Sequence, residues 1–202
     1  MRPLFGTSVL LDLVLSEAEP DSGRTVVLTS ASSKTAYGLA HLLRSRPGQT
    51  IGLTSAAHHA WVEGLGLYDT VLAYDQLGDL NPPAGAVLVD FAGNGALLRD
   101  VHQRLGGALE RSIHVGFTHQ RAEAVATPLP GPAPEFFFAP AEMARRGREL
   151  GQRYAEAWRG FAPVTARTMQ IERVIGGDGL VRVYRDLLEG RADPAVGYVA
   201  SL

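Results

Sequence analysis

The segment Thr29–Thr35 carries residue types that suit phosphate binding. It combines small side chains and hydroxyl groups with Lys34, the one lysine of the chain. Small residues let the backbone approach a phosphate, and a lysine adds a point charge. At the start of a helix, backbone N–H groups and the helix dipole favour the same anion. The residues that we predict to bind the phosphates of a nucleotide are Ser30, Ser32, Ser33, Lys34 and Thr35.

This segment lacks the frames of two common nucleotide-binding motifs. The stretch Thr29–Gly38 is not G-x-G-x-x-G, because Gly38 is its only glycine. The Gly-x4-Gly-Lys frame of a P-loop is also missing before Ser33-Lys34-Thr35, which argues against phosphoryl transfer. The alternative interpretation is a serine-rich helix cap beside a solvated lysine.

The end of the second expected strand indicates which dinucleotide would bind. NAD-binding domains place an Asp or Glu there to hold the ribose 2′-hydroxyl. No acidic residue occurs between Asp21 and Glu63, and the strand ends in Thr54 and Ser55, which we predict to contact the cofactor. The interval does hold basic residues: Arg24, Lys34, Arg44, Arg46, His58 and His59. This pattern favours NADP(H) over NAD(H), although the two histidines could equally lie on the surface of a helix.

The fourth expected strand is followed by Asp90–Asn94, where Gly93 permits a tight turn and Asn94 can cap a helix. We predict that Ala92 and Gly93 lie against the cofactor. The fifth strand ends at Gly116, assigned to the same site, and Thr118 and His119 follow it. Both could face a nicotinamide or a substrate. A histidine at such a rim is more often structural than catalytic.

The expected strands alternate with helices over residues 20–120, which predicts an α/β, Rossmann-type, doubly wound parallel sheet with strand order 3-2-1-4-5-6. Thr7 or Ser8 would cap a preceding helix. The expected strands are Thr25–Thr29, Thr50–Leu53, Thr70–Ala73, Ala86–Asp90 and Ser112–Gly116.

Residues 128–202 predict a connector, an edge strand and a C-terminal helical extension of the same single domain, 1–202. Pro128–Pro134 holds four prolines, and Phe136–Phe138 follows as an edge or interface strand. A long helix follows and ends near Pro163. The residues on one of its faces are Met143, Gly147, Leu150, Tyr154, Trp158 and Phe161. Its arginines Arg145, Arg146 and Arg148 read as a solvated face. The remaining predicted elements are a turn at Gly176–Gly179, a last helix with Val183 and Leu187, and a terminal strand at Gly197–Leu202.

Composition excludes several classes of function. The net charge of −2 attracts neither nucleic acid nor an anionic membrane. No apolar run could span a bilayer, and the N-terminal stretch lacks a signal-peptide cleavage site, which predicts a cytoplasmic protein. The chain has no cysteine and no histidine pair at metal-binding spacing, so we predict no metal site.

Six short segments also carry a resemblance to a known family. They are SASSKTAYG (30–38), GLTS (52–55), VEGLGLYD (62–69), VDFAGN (89–94), VGFTH (115–119) and FFFAP (136–140). In this order they resemble the C-terminal part of the DUF2855 proteins, which are related to medium-chain, quinone-oxidoreductase-like reductases. The resemblance implies a Rossmann core, an NADP-type cofactor at residues 30–38 and a cytoplasmic location. Medium-chain reductases also carry an N-terminal GroES-like barrel, which this chain is expected to lack.

Three functions are compatible with these features. The first is an NADP(H)-dependent oxidoreductase that acts on a small carbonyl or enone substrate. The second is a cofactor-independent cyclase, dehydratase or lyase of a specialised pathway, in which Tyr37, Asp90, Thr118 or His119 transfers protons. The third is a non-enzymatic nucleotide-sensing or partner-binding subunit. We also expect a homodimer, because Phe136–Phe138 would expose apolar surface at a sheet edge.

Overall fold

The computed structural model describes residues 1–18, 23–83, 85–115 and 128–201. Helices and strands alternate through the first part, as expected, and two short 3-10 helices lie at Tyr74–Asp79 and Gly106–Ala108. The helices are α1 Arg2–Ala18, α2 Lys34–Leu43, α3 Ala56–Gly64, α4 Gly95–Leu105, α5 Ala139–Thr168 and α6 Gly176–Leu188. The strands are β1 Thr25–Leu28, β2 Thr50–Thr54, β3 Thr70–Ala73, β4 Ala86–Asp90, β5 Leu109–His114, β6 Glu135–Phe136, β7 Gln170–Ile175 and β8 Val196–Ser201.

Six strands form one parallel sheet in the order β3-β2-β1-β4-β5-β6. This confirms the predicted strand order and the α/β class. Every residue of β2 and of β4 is buried, as expected for strands that are covered on both faces. From β1 to β3 successive strands are added towards one edge of the sheet, and from β4 to β6 they are added towards the other edge. The carboxyl ends of β1 and β4 therefore flank the crevice in which such sheets bind ligands.

The core consists of two apolar clusters on opposite faces of the sheet. Successive side chains of a strand point to opposite faces. Accordingly, Leu28 and Val89 belong to one cluster, whereas Val27 and Leu88 belong to the other. The first cluster lies under α1, α2 and α5, and the second under α4. The helices therefore hold both faces of the sheet, and its carboxyl edge is left to form a site.

Helices α1 and α5 meet through aromatic rings. Phe5 stacks on Phe161 with ring centroids 4.3 Å apart, and it makes edge contacts with Tyr154 at 5.8 Å and Trp158 at 5.5 Å. Both Phe5 and Phe161 are fully buried. Burial of each side chain of this size contributes about 1.5–3 kcal/mol. The long helix is thus an integral part of the core.

The arginines at the start of α5 are not simply solvated, which corrects the sequence interpretation. Arg146 is buried and makes a bidentate ion pair with Glu17 of α1, with distances of 2.6 and 2.7 Å. Arg145 joins Glu17 at 3.0 Å and Glu142 at 2.9 Å. These hydrogen bonds lower the pKa of Glu17 to about 2. The side chain of Arg148 lies outside the described part of the structure.

Three helix boundaries differ from the predictions. Helix α1 begins at Arg2, so Ser8 lies inside the helix, and its hydroxyl donates to the carbonyls of Leu4 and Thr35 instead of capping a helix start. Helix α5 continues past Pro163 to Thr168, and hydroxyl-to-carbonyl bonds of Thr165 and Thr168 support its last turn.

The third difference is the segment Gly176–Gly179, which forms the first turn of α6 and not a preceding turn. Asp178 in that turn stabilises it by interacting with the positive end of the helix dipole. Helix α6 connects β7 to β8, which form a separate two-stranded parallel sheet. Among the described residues, no helix combines the length and apolar character needed to cross a membrane.

Candidate functional site

The loop between β1 and α2 is fixed by contacts with the strands and loops beside it. The Ala31 N–H donates to the Leu53 carbonyl of β2 at 2.9 Å, and the Tyr68 hydroxyl donates to the Ala31 carbonyl at 2.8 Å. The Ser30 N–H donates to the Tyr74 hydroxyl at 3.2 Å. Burial raises the pKa of Tyr74 to about 12, so this phenol stays protonated at neutral pH. The loop is therefore held in one arrangement before any ligand binds.

Ser30 has a φ of +48°, which makes it the only non-glycine residue with a positive φ in the described ranges. Left-handed backbone suits glycine, and a serine pays a steric cost there. The turn continues with the Ser33 N–H, which donates to the Ser30 carbonyl at 2.7 Å. Ser33 then caps α2, because its hydroxyl accepts from the Ala36 N–H at 3.3 Å. The first turn of α2 thus begins at Lys34 with N–H groups of the kind that bind phosphate.

Lys34 and His58 meet the chain's C-terminal segment at this loop. Lys34 is half-buried, and its Nζ donates to the Pro194 carbonyl at 3.4 Å, a long hydrogen bond. Burial lowers the pKa of Lys34, while the carboxylate of Asp193 opposes that shift. The Ser32 hydroxyl and His58 Nδ1 lie 3.0 Å apart. We call Ser32, Lys34, His58 and Asp193 the phosphate-loop cluster.

The other basic residues of this interval have partners elsewhere. Arg24 pairs with Glu110, and Arg46 pairs with Asp12 at 2.7 Å. His59 contacts the Val71 carbonyl at 3.2 Å. Arg44 follows the last turn of α2, at the opposite end from the loop. Among the basic residues that the sequence suggested, the structure therefore brings Lys34 and His58 to the phosphate loop.

Of the two cofactor contacts predicted at the end of β2, Ser55 is partly exposed and Thr54 is buried. Ser55 precedes α3 and is half-buried, and its side chain makes no capping hydrogen bond. Thr54 is fully buried, and its hydroxyl has no hydrogen-bond partner among the described residues. Only Ser55 is placed to meet a ligand from solvent without rearrangement.

A second polar group lies across the crevice, at the carboxyl ends of β1, β4 and β5. Asp90 is 1% exposed, and four groups lie within hydrogen-bonding distance of its carboxylate. Its Oδ1 accepts from the Thr29 hydroxyl at 2.5 Å and the Ala92 N–H at 3.1 Å. Its Oδ2 accepts from the Gly93 N–H at 3.2 Å and lies 2.9 Å from His114 Nδ1. We call Thr29, Asp90 and His114 the Asp90 network.

Thr29 completes this network. Its hydroxyl oxygen accepts from the N–H groups of Phe91 at 2.9 Å and Ala92 at 3.1 Å, so its own proton goes to Asp90. Asp90 and His114 are register partners on adjacent parallel strands, which explains why their side chains meet. Sequence reasoning missed His114, because it treated residues 112–116 only as a strand. The available signal was a histidine at the end of the strand that the predicted order places beside Asp90.

Two predicted site residues occupy positions that do not suit their assigned roles. Tyr37 was a candidate for proton transfer, but it is fully buried and its hydroxyl lies 2.6 Å from Thr168 Oγ1. The structure therefore places Tyr37 in the core. Ala92 is also fully buried, so only its neighbour Gly93, with a φ of +63°, remains at the crevice.

The predicted residues Gly116, Thr118 and His119 lie outside the described part of the chain. Across residues 1–18, 23–83, 85–115 and 128–201, no three His, Asp or Glu side chains cluster as a metal ion would require.

The family of the chain is decided by sequence comparison. The protein-family model described as "Protein of unknown function (DUF2855)" matches residues 1–193 of the chain. The chain belongs to this family. Among curated proteins, no sequence matches the chain. Membership in DUF2855 confirms the resemblance carried by the six short segments.

Solved structures share the fold of this DUF2855 chain. YhdH of Escherichia coli K-12, solved with bound NADPH, has a TM-score of 0.63 at 14% identity, over 96% of this chain and 61% of that one. CurA of Vibrio vulnificus, in complex with NADPH, has a TM-score of 0.68 at 17% identity, over 100% and 62%. The mycobacterial protein Rv1454c, complexed with NADPH, has a TM-score of 0.63 at 18% identity, over 96% and 63%. The chain thus spans less than two thirds of the length of these proteins.

Proposed function

We propose that this DUF2855 chain binds NADP(H) and belongs to an oxidoreductase that reduces a small carbonyl or enone substrate. The observation that carries the proposal is the phosphate-loop cluster, because it places Lys34, His58 and Ser32 beside the end of β2. That position in a dinucleotide-binding sheet receives the adenosine ribose. A lysine and a histidine there suit a 2′-phosphate, whereas an NAD site would supply a carboxylate.

The residues of the loop fit such a cofactor. The N–H groups at the start of α2 would hold the pyrophosphate, and Lys34, Ser55 and His58 would hold the 2′-phosphate. When bound, the reduced cofactor supplies a hydride, and the protein supplies binding and orientation. Asp193 is the one carboxylate found to act on Lys34 and His58 among the described residues, so a phosphate would compete with it for their charge.

The solved relatives give further support, since YhdH, CurA and Rv1454c were crystallised with NADPH. A putative NADPH:quinone reductase of Mesorhizobium loti shares the fold as well, with a TM-score of 0.65 at 14% identity. The reaction class is carried over from these proteins as part of the proposal.

Thermal unfolding in the presence of nucleotides tests the cofactor. A ligand at 100 times its dissociation constant stabilises a protein by about 2.7 kcal/mol, so NADPH should raise the melting temperature more than NADH at equal concentration. Lys34→Gln should abolish this preference. Arg44→Gln removes a cation at the far end of α2 and should retain it. Equal shifts with NADPH and NADH, or no shift with either at millimolar concentration, would refute the proposed cofactor.

A cofactor-independent lyase or dehydratase is the second candidate, and the Asp90 network is the observation that favours it. A carboxylate and an imidazole 2.9 Å apart can transfer protons without a nicotinamide. If no nucleotide stabilises the chain, this reading takes precedence over the reductase.

We also propose that the chain forms a homodimer through the edge strand β6. Phe136 and Phe138 are 64% and 56% exposed, whereas Phe137 is buried in the core. Phe136→Asp with Phe138→Asp should therefore give a folded monomer. Phe137→Asp should instead unfold the protein. Light scattering distinguishes these outcomes, and a monomeric wild-type chain at micromolar concentration would refute the dimer.

A further inference from the structure

We propose that the segment Asp193–Ala195 is a strap on the phosphate loop, which the 2′-phosphate of NADP(H) displaces and the free ribose of NAD(H) does not. The inference rests on the proposed function, because it takes the dinucleotide to bind at this loop. It goes beyond that function by assigning the site a part that moves. Movement of this strap would also connect the site to the separate sheet of β7 and β8.

The strap lies against the basic side chains of the phosphate-loop cluster. The Pro194 carbonyl accepts from Lys34 Nζ at 3.4 Å, across 160 positions of the sequence. Burial lowers the pKa of Lys34 and of His58, and the charge of Asp193 opposes both shifts. Lys34 and His58 therefore face groups with full or partial negative charge, which is what a phosphate would offer them.

Hydrogen bonds close to the strap hold it in a turn. Asp193 Oδ1 accepts from the Ala195 N–H at 2.8 Å, and the Asp193 carbonyl accepts from the Val196 N–H at 3.1 Å. An aspartate that bonds the backbone two residues later is a common way to form a turn. Two hydrogen bonds connect this turn to distant described residues, namely the bond from Lys34 and a bond of 2.8 Å from the Gln170 N–H to the Ala195 carbonyl. The turn can thus move as a unit once these two bonds break.

Asp193 differs from the acidic residues at the end of α6. Asp186 and Glu189 both pair with Arg191, and Asp186 also lies 3.6 Å from Arg182. Asp193 takes part in none of these ion pairs. Its charge acts instead on a loop about 160 residues earlier in the chain. This contrast indicates that the carboxylate of Asp193 serves the phosphate loop and not the segment to which it belongs.

A 2′-phosphate is a stronger partner for Lys34 than the strap is. The bond to Pro194 is long, and its acceptor is a neutral carbonyl. A bond between an ammonium group and a phosphate is charge-assisted, shorter and roughly twice as strong. The phosphate would also repel the nearby carboxylate of Asp193. The 2′-hydroxyl of NAD(H) carries no charge, so it has neither of these means of displacing the strap.

Displacement of the strap would open one end of the β7–β8 sheet. Gln170 and Val196 are the first residues of the two strands and are register partners. The hydrogen bond from the Gln170 N–H to the Ala195 carbonyl lies just before this pair. When the strap moves, the Gln170 N–H loses its acceptor. The state of the phosphate loop is then communicated to a part of the fold outside the six-stranded sheet.

Nuclear magnetic resonance of the chain labelled with 13C-lysine tests the contact without any nucleotide. Lys34 is the one lysine of the chain, so its side-chain signals need no assignment. Asp193→Asn keeps an oxygen for the Ala195 N–H but removes the charge, and it should lower the pKa measured for Lys34. The matched control is Glu189→Gln, because Glu189 pairs with Arg191, and it should leave that pKa unchanged. An equal pKa of Lys34 in the wild-type chain and in Asp193→Asn overturns the inference.

Amide hydrogen exchange tests the displacement with two probes, adenosine 2′,5′-bisphosphate and 5′-AMP, which differ by the 2′-phosphate. The bisphosphate should speed exchange of the Gln170 N–H roughly five-fold, the factor expected when one hydrogen bond of ordinary strength is lost. At equal saturation, 5′-AMP should leave this rate unchanged. The internal control is the Arg191 N–H, which donates to the Asp186 carbonyl at 2.8 Å and should respond to neither probe.

The outcomes separate the strap from the cofactor. If the bisphosphate raises the melting temperature but does not speed exchange at Gln170, the strap is refuted and the proposed cofactor stands. Equal acceleration by 5′-AMP also refutes the strap, because the 2′-phosphate would then not be the cause. If neither the bisphosphate nor NADPH stabilises the wild-type chain or Asp193→Asn, the proposed cofactor is refuted and the strap with it.

Discussion

The two polar groups that flank the crevice are built in opposite ways. The Asp90 network is buried, and both oxygens of its carboxylate contact Thr29 after β1, the turn after β4 or His114 of β5. The phosphate-loop cluster is half-buried and is closed by a long bond from Lys34 to the distant Pro194. The contrast teaches that the first group is set by the fold itself, whereas the second is held by a contact that a ligand could replace.

The largest effect is expected when the buried Asp90 network is disrupted. Asp90→Asn replaces one accepting oxygen by an NH₂ donor, which then faces donors that it cannot satisfy. We expect the free energy of unfolding to fall by about 3 kcal/mol, because unpaired buried groups are costly. Urea denaturation measures this loss. The control Asp75→Asn, at an exposed position, should be nearly neutral, and equal stability of both variants would contradict the account of the network.

An intermediate effect is expected in the phosphate-loop cluster, where a ligand could replace the existing contacts. Asp193→Asn removes the carboxylate that competes with a phosphate for Lys34 and His58. We expect NADPH to bind roughly two- to five-fold more tightly, the range given by a partly exposed ion pair. Isothermal titration measures the affinity, and urea denaturation should show nearly unchanged stability. Weaker NADPH binding in Asp193→Asn would mean that Asp193 supports the ligand and does not compete with it.

The smallest effect concerns pH. Burial lowers the pKa of His58 below its ordinary value of 6.5, and the charge of Lys34 lowers it further against the opposing effect of Asp193. The unfolded chain therefore takes up this proton first as the pH falls. The stability contributed by neutral His58 is complete above pH 6.5 and is lost as the pH drops through the lower folded value.

His58→Gln should consequently flatten part of the decline in unfolding free energy between pH 7.5 and pH 5. His59→Gln, on the same helix but outside the cluster, serves as the comparison. If the wild-type chain and His58→Gln lose stability in parallel over this range, His58 is not held neutral by the fold.

The sheet was predictable because its signals are local. Strands such as Ala86–Asp90 are continuous apolar runs, and their alternation with helices leaves few possible strand orders. The terminal elements were less predictable. Nothing local in Gly176–Gly179 distinguishes a turn from the start of a helix, and α1 is extended by packing of Phe5 against residues 149 or more positions later.

The candidate site also has some residues that local sequence signals predict and others that they do not. Ser32 and Lys34 could be found because they lie in one loop, and the absence of acids before Glu63 is visible in the sequence. Asp193 could not be found, because no pattern links it to a loop about 160 residues earlier. His114 required a further step, since its contact with Asp90 depends on the register between two strands.

Helix α5 holds α1 at two places. Its first part binds Glu17 through Arg146, a change of direction follows at Gly147 with φ of +48°, and its later part packs on Phe5 through Phe161. The partners of α1 are therefore synthesised about 130 residues or more after it. Until they arrive, α1 has only α2 to cover its apolar face, and closing so long a loop is slow. We expect the growing chain to expose Phe5 until α5 has been synthesised, so chaperone binding and the yield of folded protein should depend on the α1–α5 contact more than the melting temperature does.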